Sequence, residues 1–238
     1  MNQKIGSNRG RSFGLRSIVS ALLLAFVIAP AVTAAEELAV TGQILYGRAQ
    51  GAQTGAVVDA LVVYDQIPAY MRMQELGLSE SDADGRVLFT KAQEVWKKAL
   101  ARIARDMGLD VITVPGGIEG VSAPDVTLSV IEVLPKYFVH GKLLHGRAQG
   151  AEYAENLAEL DVQRVLDAIP AYRELQGTSD GDARHHMLRK QYETEFAEAV
   201  STVARNGAHD VLVEAGGVTS RLGYVPEVTD SVIEALGS

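Results

Sequence analysis

The side chains able to do chemistry are few in kind: thirty Asp and Glu, five His and no Cys. The lack of Cys removes thiolate nucleophiles, disulfides and Cys-ligated zinc at once. His185 and His186 are neighbours and so leave a helix on different sides, unlike the i, i+4 pairs that share a metal, and this predicts a solvated helix start. Glu80, Asp82 and Asp84 fall on ligand positions of a calcium loop if Gly85 is its sixth residue, but Lys91 then stands where the bidentate glutamate is needed. The run reads as an acidic turn with at best a weak pull on hard cations. The G-x-S-x-G pattern of a nucleophile elbow is read as absent, and no local motif supports a Ser-His-Asp or Cys-His order. Twin GRAQGA segments lack the Gly-Lys-Ser or Gly-Lys-Thr ending of a phosphate-cradling loop. No catalytic residue, cofactor or metal is assigned, and the chain is expected not to be an enzyme.

The N-terminus carries Lys4, Arg9, Arg11 and Arg16 and no acid, followed by an apolar run over residues 18–28, then Pro30 and small residues through Ala35. This is the charged, apolar and small-residue order of a cleaved signal peptide over residues 1–35; the alternative is an uncleaved anchor. Gly10 splits Arg9 from Arg11, so the twin-arginine signal is not matched. The expected location is the periplasm. Cutting after Ala34 moves the formal charge from −8 to −12. An acidic chain does not attract nucleic acid or anionic lipid, and no later segment is apolar enough to span a bilayer.

Residues 41–52, TGQILYGRAQGA, and 140–151, HGKLLHGRAQGA, agree at eight of twelve positions. Downstream the order is kept: IPAY ends at Tyr70 and Tyr172, Gly-Gly falls at 116–117 and 216–217, and PDVTLSVIEVL from Pro124 matches PEVTDSVIEAL from Pro226. The chain therefore reads as two copies, residues 36–136 and 137–238, forming either a pair of similar domains or one pseudo-symmetric domain. His140 and His145 match Thr41 and Tyr46, so the repeat does not demand imidazole. Retention of GRAQGA has two accounts. Either the glycines meet a backbone need, which their spacing favours, or Arg48 and Arg147 bind a carboxylate of a partner.

In each copy a short strand, 56–58 or 157–162, ends at Asp59 or Asp161. A helix begins near Leu61 or Gln163 and is broken by Pro68 or Pro170. Turn-rich stretches at 77–85 and 177–182 form hairpin tips. A return helix carries Leu88, Ala92, Val95 or Trp96, Ala99 or Leu100, Ile103 and Met107 at i, i+3, i+4 spacing, matched by Leu188, Tyr192, Phe196, Val200 and Val203. Gly108, and Asn206-Gly207, are expected to supply its left-handed end. Apolar runs at 110–114 and 210–213 read as buried strands, and Thr127 and Thr229 as N-caps of a last helix. Trp96 and Phe196 default to the core, with recognition of a partner as their other use.

Residues 157–172, LAELDVQRVLDAIPAY, and 208–236, AHDVLVEAGGVTSRLGYVPEVTDSVIEAL, resemble the periplasmic chaperone family of Skp and its OmpH-like relatives. The first copy keeps the pattern more loosely, in Val57-Val58-Asp59 and Ile67-Pro68-Ala69-Tyr70. The resemblance implies a small β-containing head with a helical hairpin and, in the family, a trimer whose long arms enclose unfolded outer-membrane proteins. Here 37 residues separate Tyr172 from Asp210, so the arms are short, and the chain is acidic where the family is basic.

The expectation is an α+β protein of two tandem Skp-head-like repeats, each a small sheet with a short helical hairpin and a C-terminal helix. It would be a non-enzymatic, chaperone-like factor that binds envelope or unfolded outer-membrane proteins and self-associates, with Arg48, Arg147, Trp96 and Phe196 as candidate partner-binding residues. The alternatives are an envelope adaptor with a folded partner, and a metal-dependent or enzymatic module with a scattered site.

Overall fold

Strand pairing in the computed structural model, which describes residues 37–237, follows one plan twice. The export signal expected at residues 1–35 lies outside the described residues. These residues belong to one compact unit of mixed α+β structure. Its first half runs β1 (Ala39–Val40), β2 (Ile44–Gly47), β3 (Gly55–Val57), α1 (Ala60–Tyr64), α2 (Pro68–Glu75), α3 (Ala83–Met107), β4 (Val111–Thr113), β5 (Ile118–Glu119) and α4 (Thr127–Glu132). The second half runs β6 (Tyr137–Val139), β7 (Leu143–His145), β8 (Leu157–Leu160), α5 (Val162–Ala168), α6 (Pro170–Leu175), α7 (Ala183–Asn206), β9 (Val211–Glu214), β10 (Val218–Ser220) and α8 (Thr229–Leu236).

The three-stranded sheets have the orders β2-β4-β3 and β7-β9-β8. The central strand of each is antiparallel to its first neighbour and parallel to its second. Parallel pairing of β3 with β4 requires a long crossover, which α1, α2 and α3 provide. All three residues of β4 are buried, as the unbroken apolar run predicts. Two-stranded ladders, β1 with β5 and β6 with β10, complete each half.

Local chemistry sets the helix ends. The Asp59 carboxylate accepts from the Leu61 and Val62 N–H groups, and Asp161 accepts from that of Arg164. Pro68 and Pro170 stand at the first positions of α2 and α6, each after an extended isoleucine, so the chain breaks and restarts as expected. Helix α3 buries Leu88, Ala92, Trp96, Leu100 and Ile103 along one stripe, whereas Met107, expected to continue it, is exposed in the last turn. With 25 residues it is about 37 Å long at 1.5 Å per residue, while its hairpin partner α2 has only 8.

Three further expectations need correction. Gly85 belongs to α3 rather than to the hairpin tip, and a Cβ there would lie 1.9 Å from the Ser79 carbonyl oxygen. Thr127 and Thr229 are first helical residues, not caps: each hydroxyl accepts from the Asp59 or Asp161 N–H at 2.9 Å and donates to Asp125 or Glu227. The left-handed end of α7 is not Asn206-Gly207. Gly207 has φ −85°, and Ala208 takes φ 51° where the first half places Gly108 at 64°.

Each half has its own core, Val58, Val63, Leu100, Ile112 and Val130 in the first and Leu160, Val165, Val200, Leu212 and Val232 in the second. They meet where α2 packs against β6 and β10. Phe138 lies against the first core, with the Lys91 ammonium 4.9 Å from its ring centroid. Pro68 is buried at this junction, whereas its counterpart Pro170 is exposed.

Left-handed backbone costs an L-residue with a Cβ roughly 1–2 kcal/mol, partly offset by the greater unfolded-state freedom of glycine. Ala208→Gly is therefore expected to stabilise the protein by about 0.5–1 kcal/mol and Gly108→Ala to destabilise it by at least about that much, read as urea midpoint shifts at constant slope.

Candidate functional site

The GRAQGA loops follow β2 and β7. Gly47 and Gly146 adopt φ 80° and 92°, and a Cβ on them would come within 1.8 and 2.3 Å of the Asp110 and Asp210 carbonyl oxygens. Gly51 and Gly150 are also left-handed, at 78° and 87°. The glycines thus meet a backbone need, and that alone accounts for their recurrence. The next segment is tied by the same aspartates: Asp110 Oδ2 accepts from Gln53 N and Thr54 N at 2.9 and 3.0 Å, and Asp210 Oδ2 from Glu155 N and Asn156 N at 3.2 and 3.1 Å. Those backbone donors, with the Thr54 hydroxyl, hold the Asp110 carboxyl below its ordinary pKa. Arg48 and Arg147 are exposed and make no hydrogen bond or ion pair among the described residues.

Trp96, only 7% exposed, lies in the first core with its ring 5.4 Å from that of Tyr64. Phe196 is half-buried against the second core and the α6–α7 cluster. The four candidates are therefore distributed over two cores and two loops.

His185 is not solvated, as its place at a helix start suggests; it is 5% exposed. Its Nδ1 is 2.9 Å from Thr178 Oγ1, and its Nε2 lies 3.0 Å from Asp180 Oδ1 and 2.9 Å from an Arg189 guanidinium nitrogen. Residues 177–181, GTSDG, spell the G-x-S-x-G pattern, which corrects the expectation that it is absent. They join α6 to α7, however, whereas a nucleophile elbow joins a strand to a helix. Thr178 donates its hydroxyl hydrogen to the Leu175 carbonyl at 2.8 Å, which leaves it to accept a hydrogen bond from His185 Nδ1–H rather than to give its proton to that nitrogen. The group fastens the tip. At the corresponding tip, Asp82 accepts from Ser79 N and Oγ, both at 2.8 Å, which lowers its pKa. Among the described residues no cluster of three or more His, Asp or Glu is placed to hold a metal ion, and no helix is long and apolar enough to cross a membrane.

The surface that sequence reasoning missed lies where α1 packs beside α4. Leu61 is 79% exposed, Leu128 76% and Val62 46%. Their counterparts on α5 and α8 are Gln163, Asp230 and Arg164. In the second half the Arg164 guanidinium lies 2.7 Å from Asp230 Oδ1 and 3.7 Å from Glu227 Oε1, so the positions of Val62 and Leu128 are within an arginine's reach of each other. One fold position thus carries an ion pair in one half and bare aliphatic side chains in the other. Covering a leucine stabilises by roughly 1.5–3 kcal/mol, so whatever covers Leu61 and Leu128 gains several kcal/mol. The sequence signal is the mismatch between the copies, aliphatic at 61, 62 and 128 where the second has Gln163, Arg164 and Asp230.

Compared with models of protein families, with curated proteins and with solved structures, the chain matches none.

Two outcomes are expected. Trp96→Ala, which empties a packed core position, costs about 3–5 kcal/mol in urea unfolding, whereas Arg48→Ala stays within about 0.5 kcal/mol. Glu159, half-buried where the first half has Val57, has its pKa raised first by burial and also by Glu227. Its ionised form opposes folding, so that cost is absent below the unfolded pKa and complete above the raised folded one. Glu159→Gln keeps the acceptor for Val218 N, 3.1 Å away, and is expected to be more stable than the parent at neutral pH, the gap closing as pH falls below the glutamate range.

Proposed function

We propose that this is an exported, non-enzymatic protein-binding factor of Skp/OmpH type, acting in the periplasm on envelope or outer-membrane proteins. On this reading each half is a family-like head with a shortened arm. The observation that carries it is the bare Leu61, Val62 and Leu128 surface, which the ion-paired second half shows the fold does not need. The motifs at 157–172 and 208–236 add the family resemblance.

Helix α3 has an 8-residue partner, so the hairpin offers a side on which a segment can lie and no cavity that encloses one. Holding by surface contact is the mechanism that fits. The same short arm favours a second reading, an adaptor that docks on one folded envelope protein.

Dilution of a urea-denatured outer-membrane barrel protein into buffer, followed by light scattering, separates the two. Several-fold molar excess of the exported protein is expected to slow aggregation; an unchanged rate would remove the chaperone reading and leave the adaptor. Self-association is part of the proposal, and its mass by light scattering is expected to exceed that of one chain at micromolar concentration.

A further inference from the structure

We infer that the α1–α4 face of the first half is a docking surface for a partner segment bearing both aliphatic and basic side chains. The inference rests on the protein-binding reading and adds the chemistry of what is bound. Charge decides the class of partner. Asp59, Asp65, Asp125 and Glu132 surround the aliphatic residues in sequence, and residues 49–71 and 106–135, which include both helices, contain no Lys or Arg. The second half keeps all four acids, as Asp161, Asp167, Glu227 and Glu234, and supplies its own cation in Arg164. In the first half Val62 stands at that position, and none of the four acids forms a salt bridge among the described residues.

The donors that meet Asp125 and Asp59 are neutral backbone and hydroxyl groups, so they supply no cation. Asp125 Oδ1 accepts from Thr127 N at 2.9 Å and from its hydroxyl at 2.6 Å, while Asp59 caps α1. The face thus lacks one cation that its twin has and gains an aliphatic surface that its twin lacks. A segment alternating Leu with Lys or Arg supplies both. A second copy of the same face would oppose like charges, which disfavours pairing.

The test uses the protein purified after export and three labelled 16-residue peptides, Leu/Lys, Leu/Glu and Ser/Lys, followed by fluorescence anisotropy. The Leu/Lys peptide is expected to bind at least about tenfold more tightly than either control and to weaken as salt is raised, since exposed charge pairs are screened beyond a Debye length of about 10 Å at 0.1 M. The variant Leu61→Gln with Val62→Arg and Leu128→Asp gives the first half the face that the second half already folds with. It should keep its circular dichroism spectrum and urea midpoint and lose at least about tenfold in Leu/Lys affinity.

Equal binding of Leu/Glu and Leu/Lys would overturn the charge assignment, and unchanged affinity in the folded triple variant would overturn the surface. A dimer that the triple variant converts to monomer would show that a second copy covers the face, again overturning the proposal. Each outcome is distinct from failure of the chaperone reading: peptide binding lost in the variant, with client aggregation unaffected by the parent, would sustain the docking face and remove the holdase role.

Discussion

The central strand of each sheet is bonded along one edge to an antiparallel neighbour and along the other to a parallel one. That pairing is the constraint from which the rest of the architecture follows. The parallel edge obliges the chain to leave the sheet and return, so α1 to α3 and α5 to α7 must exist and must cover one face. The antiparallel side brings backbones so close that a Cβ at Gly42 would be 2.5 Å from the Gly117 Cα, and one at Gly141 equally close to that of Gly217. Glycines at these crossings and in the GRAQGA loops therefore answer the geometry of the sheet.

Bridging threonines complete the frame. Asp59 and Asp161 leave the strand and cap the next helix, while their own N–H groups are held by Thr127 and Thr229 at the start of the last helix. One hydroxyl thus links a strand end, the crossover and the terminal helix of each half. The span from donor to acceptor is 68 residues in both, a correspondence that motif spacing alone would not have located.

Features that depend on neighbours along the chain were legible. Proline restarts, the α3 stripe, the buried β4 and β9 runs and the Gly108 helix end are all decided by local sterics or by periodicity. Features that depend on distant partners were not. Strands of two to four residues such as β1, β2 and β5 carry too little pattern to be recognised without the strands they pair with. Burial of His185 requires knowing that Thr178 and Asp180 fold back on it. The α1–α4 face was hidden for a different reason: aliphatic residues in short helices are compatible with a core, and the polar counterparts Gln163, Arg164 and Asp230 gain their meaning once Leu61 and Leu128 are seen to be exposed.

The junction between the halves has a kinetic meaning. Helix α2 is covered partly by β10, which lies about 150 residues downstream, whereas each half closes its own core over much shorter separations. Loop-closure entropy places that contact late, after both local cores have collapsed. A chain folding from its N-terminus could dock β6 on α2 midway, but the part of α2 that β10 covers would stay open until nearly the last strand was available. In the interval before that strand arrives, the uncovered part of α2 is open to competing contacts.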